Sequence, residues 1–551
     1  MKFPILLAAT TLLVSATAPA AVTRHARVQA KHPPKTAAAN KAEAAQPAKP
    51  FFQPSEVRST GTLTLGGQPI AYDAVAGTLV VHAKEWEDTD AVEADDADTD
   101  SPNKGKKGPK PEASMFFTAY FKQGAPAAGR PITFLFNGGP GSSTVWLRMG
   151  AFSPIRVVTT EGRHTPAPYG VVDNDQSLLD ASDLVFIDAP GTGFSRIAGK
   201  DKEKAFYGVD QDIHAFTDFI TQFLTKYGRW KSPKYVFGES YGTMRGAGLT
   251  LALQKADVDL NGVILLSDIL NWDFMPDDPQ VNPGIDMPYV VSLPTYAATA
   301  WHFNKVANRP ADLRAFLAEV EQFATTDYQQ ALLKGGDLPD AERQAIAQRL
   351  SAYTGLSVPY LLKTNLRIEY GAFQKELLGE QGLTTGTLDT RFLGATLDPL
   401  SKVTSYDPQD AAISAAYVAA WNSYVRDRLH YTPDIQFKSG IPVYEKWDYK
   451  HQPPGADKPL IALPNVLPDL AVAMKQNPDM HVMVNGGLFD ISTPYFEGKM
   501  EMRHLPVPPD LKRNVEFHYY ESGHMAYLRP EQLRELHDNV ADFIRRTEGG
   551  R

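Results

Sequence analysis

Ser240 lies at the centre of Gly238-Glu239-Ser240-Tyr241-Gly242, with an apolar run at 234–237 before it and a helix-forming stretch at 243–254 after it. Gly-x-Ser-x-Gly between a strand and a helix holds a serine on a sharp turn above a sheet, and the positions two before and two after must lack a bulky Cβ substituent. Such a hydroxyl attacks a carbonyl carbon only when a base takes its proton and a carboxylate orients that base. Two downstream residues fit these roles. Residues 481–485 read as a strand leading through Gly486-Gly487-Leu488-Phe489 to Asp490, and 515–520 as a strand leading through Glu521-Ser522-Gly523 to His524. His518 lies inside the second strand and is the poorer base. The attacked carbonyl oxygen becomes an anion, which preorganised N–H donors stabilise. Asn137-Gly138-Gly139-Pro140-Gly141-Ser142-Ser143 follows an apolar run at 132–136 and can aim backbone N–H groups at that oxygen; Gly139 and Tyr241 are the candidate donors.

Side chains so distant in the chain meet only where a sheet brings their strand ends to one edge. Runs rich in β-branched and aromatic residues recur at 132–136, 184–187, 235–237, 263–266, 481–484 and 515–520. Between them, 205–227 carries Ile213, Phe216, Phe219, Ile220, Phe223 and Leu224 at helical spacing. Strands alternating with helices predict a largely parallel sheet covered on both faces, with catalytic groups beyond the strands' C-terminal ends. The order serine, acid, histidine is that of an α/β-hydrolase. Upstream, 62–81 and 115–121 read as strands around turns such as Gly66-Gly67. The interval between 266 and 481 is too long for a simple crossover and contains helical patterns at 311–323, 340–353 and 411–429. An inserted, mainly helical cap is therefore expected over 271–475, dividing a core of 51–270 and 476–551.

Taken together, the stretches Asn137-Gly138-Gly139-Pro140-Gly141-Ser142-Ser143, Asp188-Ala189-Pro190-Gly191-Thr192-Gly193-Phe194-Ser195, Gly238-Glu239-Ser240-Tyr241-Gly242, Asn485-Gly486-Gly487-Leu488-Phe489-Asp490 and Gly523-His524-Met525 resemble the serine carboxypeptidases, peptidase family S10, from about residue 131 to the C-terminus. The resemblance implies removal of residues from the free C-terminus of peptides. It makes Ser240 the nucleophile, His524 the base, Asp490 its orienter, and Gly139 and Tyr241 the oxyanion donors. It also implies that Asn137 and Glu239 hydrogen-bond the substrate's terminal carboxylate. In that family the counterpart of Glu239 pairs with a second glutamate, and a shared proton favours acidic pH. Here that glutamate aligns with Arg148, which as a bidentate carboxylate ligand would keep Glu239 ionised and give a less acidic optimum; a solvent-facing Arg148 is the alternative. Thr243-Met244-Arg245-Gly246 departs from the small residues usual after the nucleophile. The disulfides of eukaryotic members cannot form, which suggests a bacterial-type enzyme. An esterase or acyltransferase on the same triad, and a noncatalytic ligand-binding protein on a hydrolase scaffold, are the competing readings.

The rest of the sequence narrows the field. A chain of 551 residues with 43% hydrophobic and 22% charged residues is a globular composition. A formal charge of −9 argues against a nucleic-acid partner. The absence of cysteine excludes disulfides, thiolate nucleophiles and cysteine-ligated metals. No P-loop, G-x-G-x-x-G or H-E-x-x-H is completed, so neither a cofactor nor a metal is expected. Lys2, the apolar run 3–14 and Ala18-Pro19-Ala20 read as a secretory signal over 1–20, which predicts a secreted or periplasmic protein without a membrane span. Residues 21–50, rich in Ala, Lys, Pro and Gln, read as a flexible leader, and the charged insert over 84–113, whose residues 85–100 include nine acids, as a solvated loop.

Overall fold

Residues 50–84, 86, 110–276, 279 and 282–549 are described by the computed structural model. The segment 1–20, nearly all of 21–50 and most of the insert 84–113 lie outside the described residues. Strands β1 (Ser55–Leu65) and β2 (Gln68–His82) are joined by Gly66-Gly67, both at positive φ, 53° and 78°, as a two-residue hairpin turn requires. There follow β3 (Glu112–Lys122), β4 (Ile132–Phe136), a small antiparallel pair β5 (Ile155–Val157) and β6 (Val171–Asp173), β7 (Asp183–Ile187), β8 (Arg196–Ala198), β9 (Lys234–Glu239) and β10 (Gly262–Leu266). A second small pair, β11 (Leu383–Thr385) and β12 (Leu393–Ala395), precedes β13 (His481–Gly487) and β14 (Val515–Tyr520).

The main sheet runs β1-β2-β3-β7-β4-β9-β10-β13-β14, with β8 also paired to β3. From β7 to β14 all neighbours are parallel, and the first three strands add an antiparallel wing. This is the α/β-hydrolase fold. Its parallel strands are apolar on both faces because the side-chain period of two divides each between two cores. Phe134, Phe136, Val236, Val263, Leu265, Val482 and Val484 enter one cluster, and Leu135, Tyr235, Phe237, Ile264, Leu266 and Met483 the other. Helices Val209–Lys226, Tyr241–Gln254 and Leu467–Gln476 cover the first face; Pro408–Asp427 and Pro530–Thr547 cover the second.

The expected cap is helical, but it does not pack as one body. Helices Met287–His302, Leu313–Phe323 and Asp340–Thr354 share a third apolar cluster with residues of 488–500. Helix Pro408–Asp427 instead returns to the sheet, because Ile413, Ala416, Tyr417, Ala420, Trp421 and Tyr424 form a stripe at helical spacing. The helix expected over 205–227 is two, Lys202–Phe206 and Val209–Lys226, broken at Gly208, where an added Cβ would stand 2.3 Å from Gln211 Oε1. Among the described residues no helix is long and apolar enough to cross a membrane.

Candidate active site

Ser240 closes β9 and opens the helix Tyr241–Gln254 with φ 61° and ψ −134°, a region that non-glycine residues enter only when their surroundings impose it. The surroundings are the two flanking glycines. A Cβ at Gly238 would lie 2.1 Å from Gly242 O, and one at Gly242 would lie 2.9 Å from Phe136 O. Ser240 N–H donates to Leu266 O at 3.0 Å, tying the turn to the end of β10, and Ser240 O accepts from Thr243 N–H at 2.7 Å.

The loop after β4 runs against this turn. A Cβ at Gly138 would stand 2.3 Å from Gly242 N and 2.5 Å from Tyr241 N, so the two backbones touch with no room for a side chain. Gly139 has φ 106°. Among the described residues, no backbone carbonyl accepts from Gly139 N–H or Tyr241 N–H. Arg245 fixes the loop from below. Its Nη1 donates to Asn137 O at 2.7 Å, its Nε to Asp212 Oδ2 at 2.7 Å, and its guanidinium lies 4.2 Å from the centre of the Phe216 ring. The unusual Arg245 is therefore a fully buried brace, not part of the pocket wall.

His524 and Asp490 lie just beyond β14 and β13, and they are joined: Nδ1 of His524 donates to Asp490 Oδ2 at 2.8 Å. The other carboxylate oxygen accepts from Ser492 N–H at 3.0 Å and Thr493 N–H at 3.1 Å, and Thr493 Oγ1 donates to Oδ2 at 2.8 Å. The His524 backbone is held on both sides, its N–H by Leu388 O at 2.7 Å and its carbonyl by Ser267 Oγ at 2.8 Å. Burial pushes the imidazole pKa down, but the Asp490 carboxylate, helped by Glu239 and Asp407, more than reverses this and leaves it raised. Nδ1 is thus committed to Asp490, and Nε2 is the nitrogen left for proton transfer. No hydrogen bond joins it to Ser240 Oγ in this structure, a contact that commonly tightens only with substrate bound. Sequence reasoning missed Thr493, Ser267 and Leu388. Thr493 follows Asp490 by three residues and was open to notice; Ser267 and Leu388 carry no local signal.

Glu239, beside Ser240, is 1% exposed. Tyr527 Oη donates to its carboxylate, 3.1 Å from Oε1 and 2.9 Å from Oε2. Asn137 Oδ1 accepts from Leu147 N–H at 3.1 Å, which turns the amide nitrogen toward Glu239 and Tyr527. Burial raises the Glu239 carboxyl to about 7, against the opposing pull of His524, Tyr527 and Asn137. Arg148 is not in this cluster. It is wholly buried, with Nη2 3.1 Å from Asp188 Oδ1, Nε 3.0 Å from Thr118 Oγ1, and its guanidinium 4.5 Å from the centre of the Trp421 ring. Neither expectation for Arg148, carboxylate ligand or solvent-facing side chain, holds. It lies in the five-residue π-helical turn Arg148–Phe152, where a buried guanidinium needs a buried anion, and Asp188 at the end of β7 supplies it. Asp188 also accepts from Thr144 N–H at 2.9 Å, and Ser195 Oγ bridges Asp188 O and Phe116 N–H, so the 188–195 loop is a brace for its neighbours. The residue that faces Glu239 is Tyr527, three positions after His524, where sequence reasoning did not look.

Among the described residues, no group of His, Asp and Glu side chains could hold a metal ion. Residues 106–265 match the model of the serine carboxypeptidase family. The chain is similar to the pheromone-processing carboxypeptidase KEX1 of Yarrowia lipolytica, 31% identical over 140 residues, covering 25% of this chain and 21% of that protein. It is also similar to the human retinoid-inducible serine carboxypeptidase, 29% identical over 157 residues, covering 26% and 30%. The chain thus spans less than a third of the length of either relative. Among solved structures the chain is similar to a proline iminopeptidase of Mycobacterium smegmatis, with TM-score 0.31, 14% identity, and 89% of this chain and 99% of that chain covered. An epoxide hydrolase variant from Aspergillus niger has TM-score 0.29, 15% identity, and 79% and 76% covered.

Proposed function

We propose, from the match of residues 106–265 to the model of the serine carboxypeptidase family, that the protein removes residues from the free C-terminus of peptides through an acyl-enzyme intermediate. Ser240 Oγ attacks the last peptide carbonyl while Nε2 of His524 takes its proton. Asp490 holds the imidazole in the tautomer this requires and stabilises the imidazolium that forms. The N–H groups of Gly139 and Tyr241 receive the oxyanion. The imidazolium then protonates the leaving amine, and a water activated by the same imidazole releases the acyl group. Asn137 and Glu239 hold the terminal carboxylate and so fix which bond meets Ser240.

The observation that supports this reading best is the pairing of His524 with Asp490 at 2.8 Å on the same strand-end edge as the strained Ser240 turn. The test is mass analysis of products from matched peptides with free and amidated C-termini. Loss of single C-terminal residues from the free acids alone, abolished in Ser240→Ala, is expected. Equal turnover of both forms would favour an esterase or another acyl-transfer reading, and turnover retained by Ser240→Ala would remove the nucleophile from the account.

A further inference from the structure

Glu239 is a carboxyl group beside the nucleophile whose direct hydrogen-bonding side chains are neutral. Tyr527 Oη lies within 3.1 Å of both its oxygens, and Asn137 contributes an amide. The other groups facing it are His524 beyond β14, Asp490 beyond β13, and Tyr417 from the helix Pro408–Asp427. Of these, His524 is already engaged by Asp490, and Tyr417 and Tyr527 are buried phenols whose pKa values burial holds far above neutrality. Among the carboxylate-binding residues themselves, Asn137, Glu239 and Tyr527, only Glu239 therefore changes charge near neutrality, while His524 titrates separately as the base. With two carboxyls sharing a proton, binding depends on a pair; here it depends on Glu239 alone.

Resting on the carboxypeptidase reading, we propose that Tyr527 is a positioning residue that sets the upper pH limit at which this site accepts a substrate's terminal carboxylate. Two carboxylates cannot share a hydrogen bond without a proton between them, so a terminal carboxylate is bound by Glu239 only while Glu239 is protonated. The Tyr527 hydroxyl donates to either form of Glu239 but favours the anion, because a hydrogen bond to a charged acceptor is the stronger. It therefore lowers the pH at which Glu239 loses its proton, working against the burial that raises it. Tyr527 also follows His524 by three residues on the turn Ala526–Leu528, so one segment carries both the base and the partner of Glu239.

The test compares a peptide bearing a free C-terminus with an ester of the same acyl group that lacks the terminal carboxylate, as a function of pH. In wild type, the rising limb set by His524 is expected with both substrates. A falling limb near pH 7 is expected with the free acid alone, carried by KM and not by kcat. In Tyr527→Phe that falling limb is expected about one pH unit higher, the shift from losing one hydrogen bond of about 1.4 kcal/mol to the anion. The Glu239→Gln variant keeps an amide donor and is expected to lose the falling limb altogether. A Tyr527→Phe midpoint that stays put or moves to lower pH, or a falling limb that survives Glu239→Gln, overturns the proposal while leaving the carboxypeptidase reading intact. A wild type that handles acid and ester with one common pH profile overturns both, and that result is read before any variant is made.

Discussion

At the scale of single residues, the imidazole of His524 has one nitrogen taken by Asp490, and Asp490 in turn accepts four hydrogen bonds, two from backbone N–H groups and two from side chains. Three of those four donors come from Ser492 and Thr493, so the carboxylate is held by its own turn before it meets the histidine. Replacing Thr493 by Val keeps the backbone donors and removes the hydroxyl. It is expected to lower kcat about tenfold while leaving the fold intact, measured by steady-state kinetics alongside thermal unfolding; an unchanged kcat would show that the two N–H groups suffice. Arg148 belongs to the opposite category. Its guanidinium and the Asp188 carboxylate are both fully buried, and Arg148→Ala leaves an unpaired buried anion, which costs about 3–5 kcal/mol. Denaturant unfolding is expected to show that loss; a change within 0.5 kcal/mol, the range of ordinary surface substitutions, would contradict the burial. The two residues also mark how far single positions were legible. Asp490 and His524 announced themselves by type and by standing just past a strand. Arg148 was placed by counting along a motif, and counting does not say whether a side chain turns in or out.

Among the elements, the contact between the β4 loop and the Ser240 turn depends on a glycine at each side of the crossing. Gly138→Ala would place a methyl 2.3 Å from Gly242 N, so the loop after β4 must retreat. The expected result is a fall in kcat of roughly a hundredfold or more, the scale of a lost oxyanion donor, with the global fold retained by circular dichroism. A second joint is His451, 6% exposed, whose Nδ1 meets Asp210 at 2.6 Å on the helix Val209–Lys226 and whose Nε2 meets Asp469 at 2.9 Å on the helix Leu467–Gln476. Burial opposes the charged ring, but the two carboxylates prevail and raise its pKa to about 9. A group raised on folding contributes stability fully below its unfolded pKa, near 6.5, and loses it as pH climbs through the folded value. Unfolding free energy is thus expected to fall by about 2 kcal/mol between pH 7 and 10 through this joint, and His451→Gln is expected to flatten that slope. An equal slope in both proteins would assign the change to other groups. The parallel strands were legible because each is a short apolar run set between helical patterns. Helix Met287–His302 was not, since its buried residues face every side and Pro294 interrupts its interior, which leaves no amphipathic period to read.

For the molecule as a whole, the strand order β7-β4-β9-β10-β13-β14 carries the argument, because parallel neighbours put all their C-terminal ends on one edge. Residues 240, 490 and 524 are far apart in the chain, but each follows a strand of that block. Leu266 on β10 pairs with Glu239 on one side and with Asn485 on the other, so the turns that follow start level. The Gly-x-Ser-x-Gly motif, the strand ends and the order serine, acid, histidine together made Ser240, Asp490 and His524 the candidates in the sequence. The partner of Glu239 and the return of helix Pro408–Asp427 to the sheet were beyond its reach, because both are set by tertiary packing between segments hundreds of residues apart. The claim on which everything else rests is that Ser240 is a nucleophile activated by His524. The most direct measurement is labelling of the folded protein with a fluorophosphonate, followed by mass mapping of the modified peptide. The account predicts one adduct, on Ser240, absent in Ser240→Ala and suppressed by orders of magnitude in His524→Ala. A folded wild-type protein that takes no label, or takes it at another residue, would contradict it.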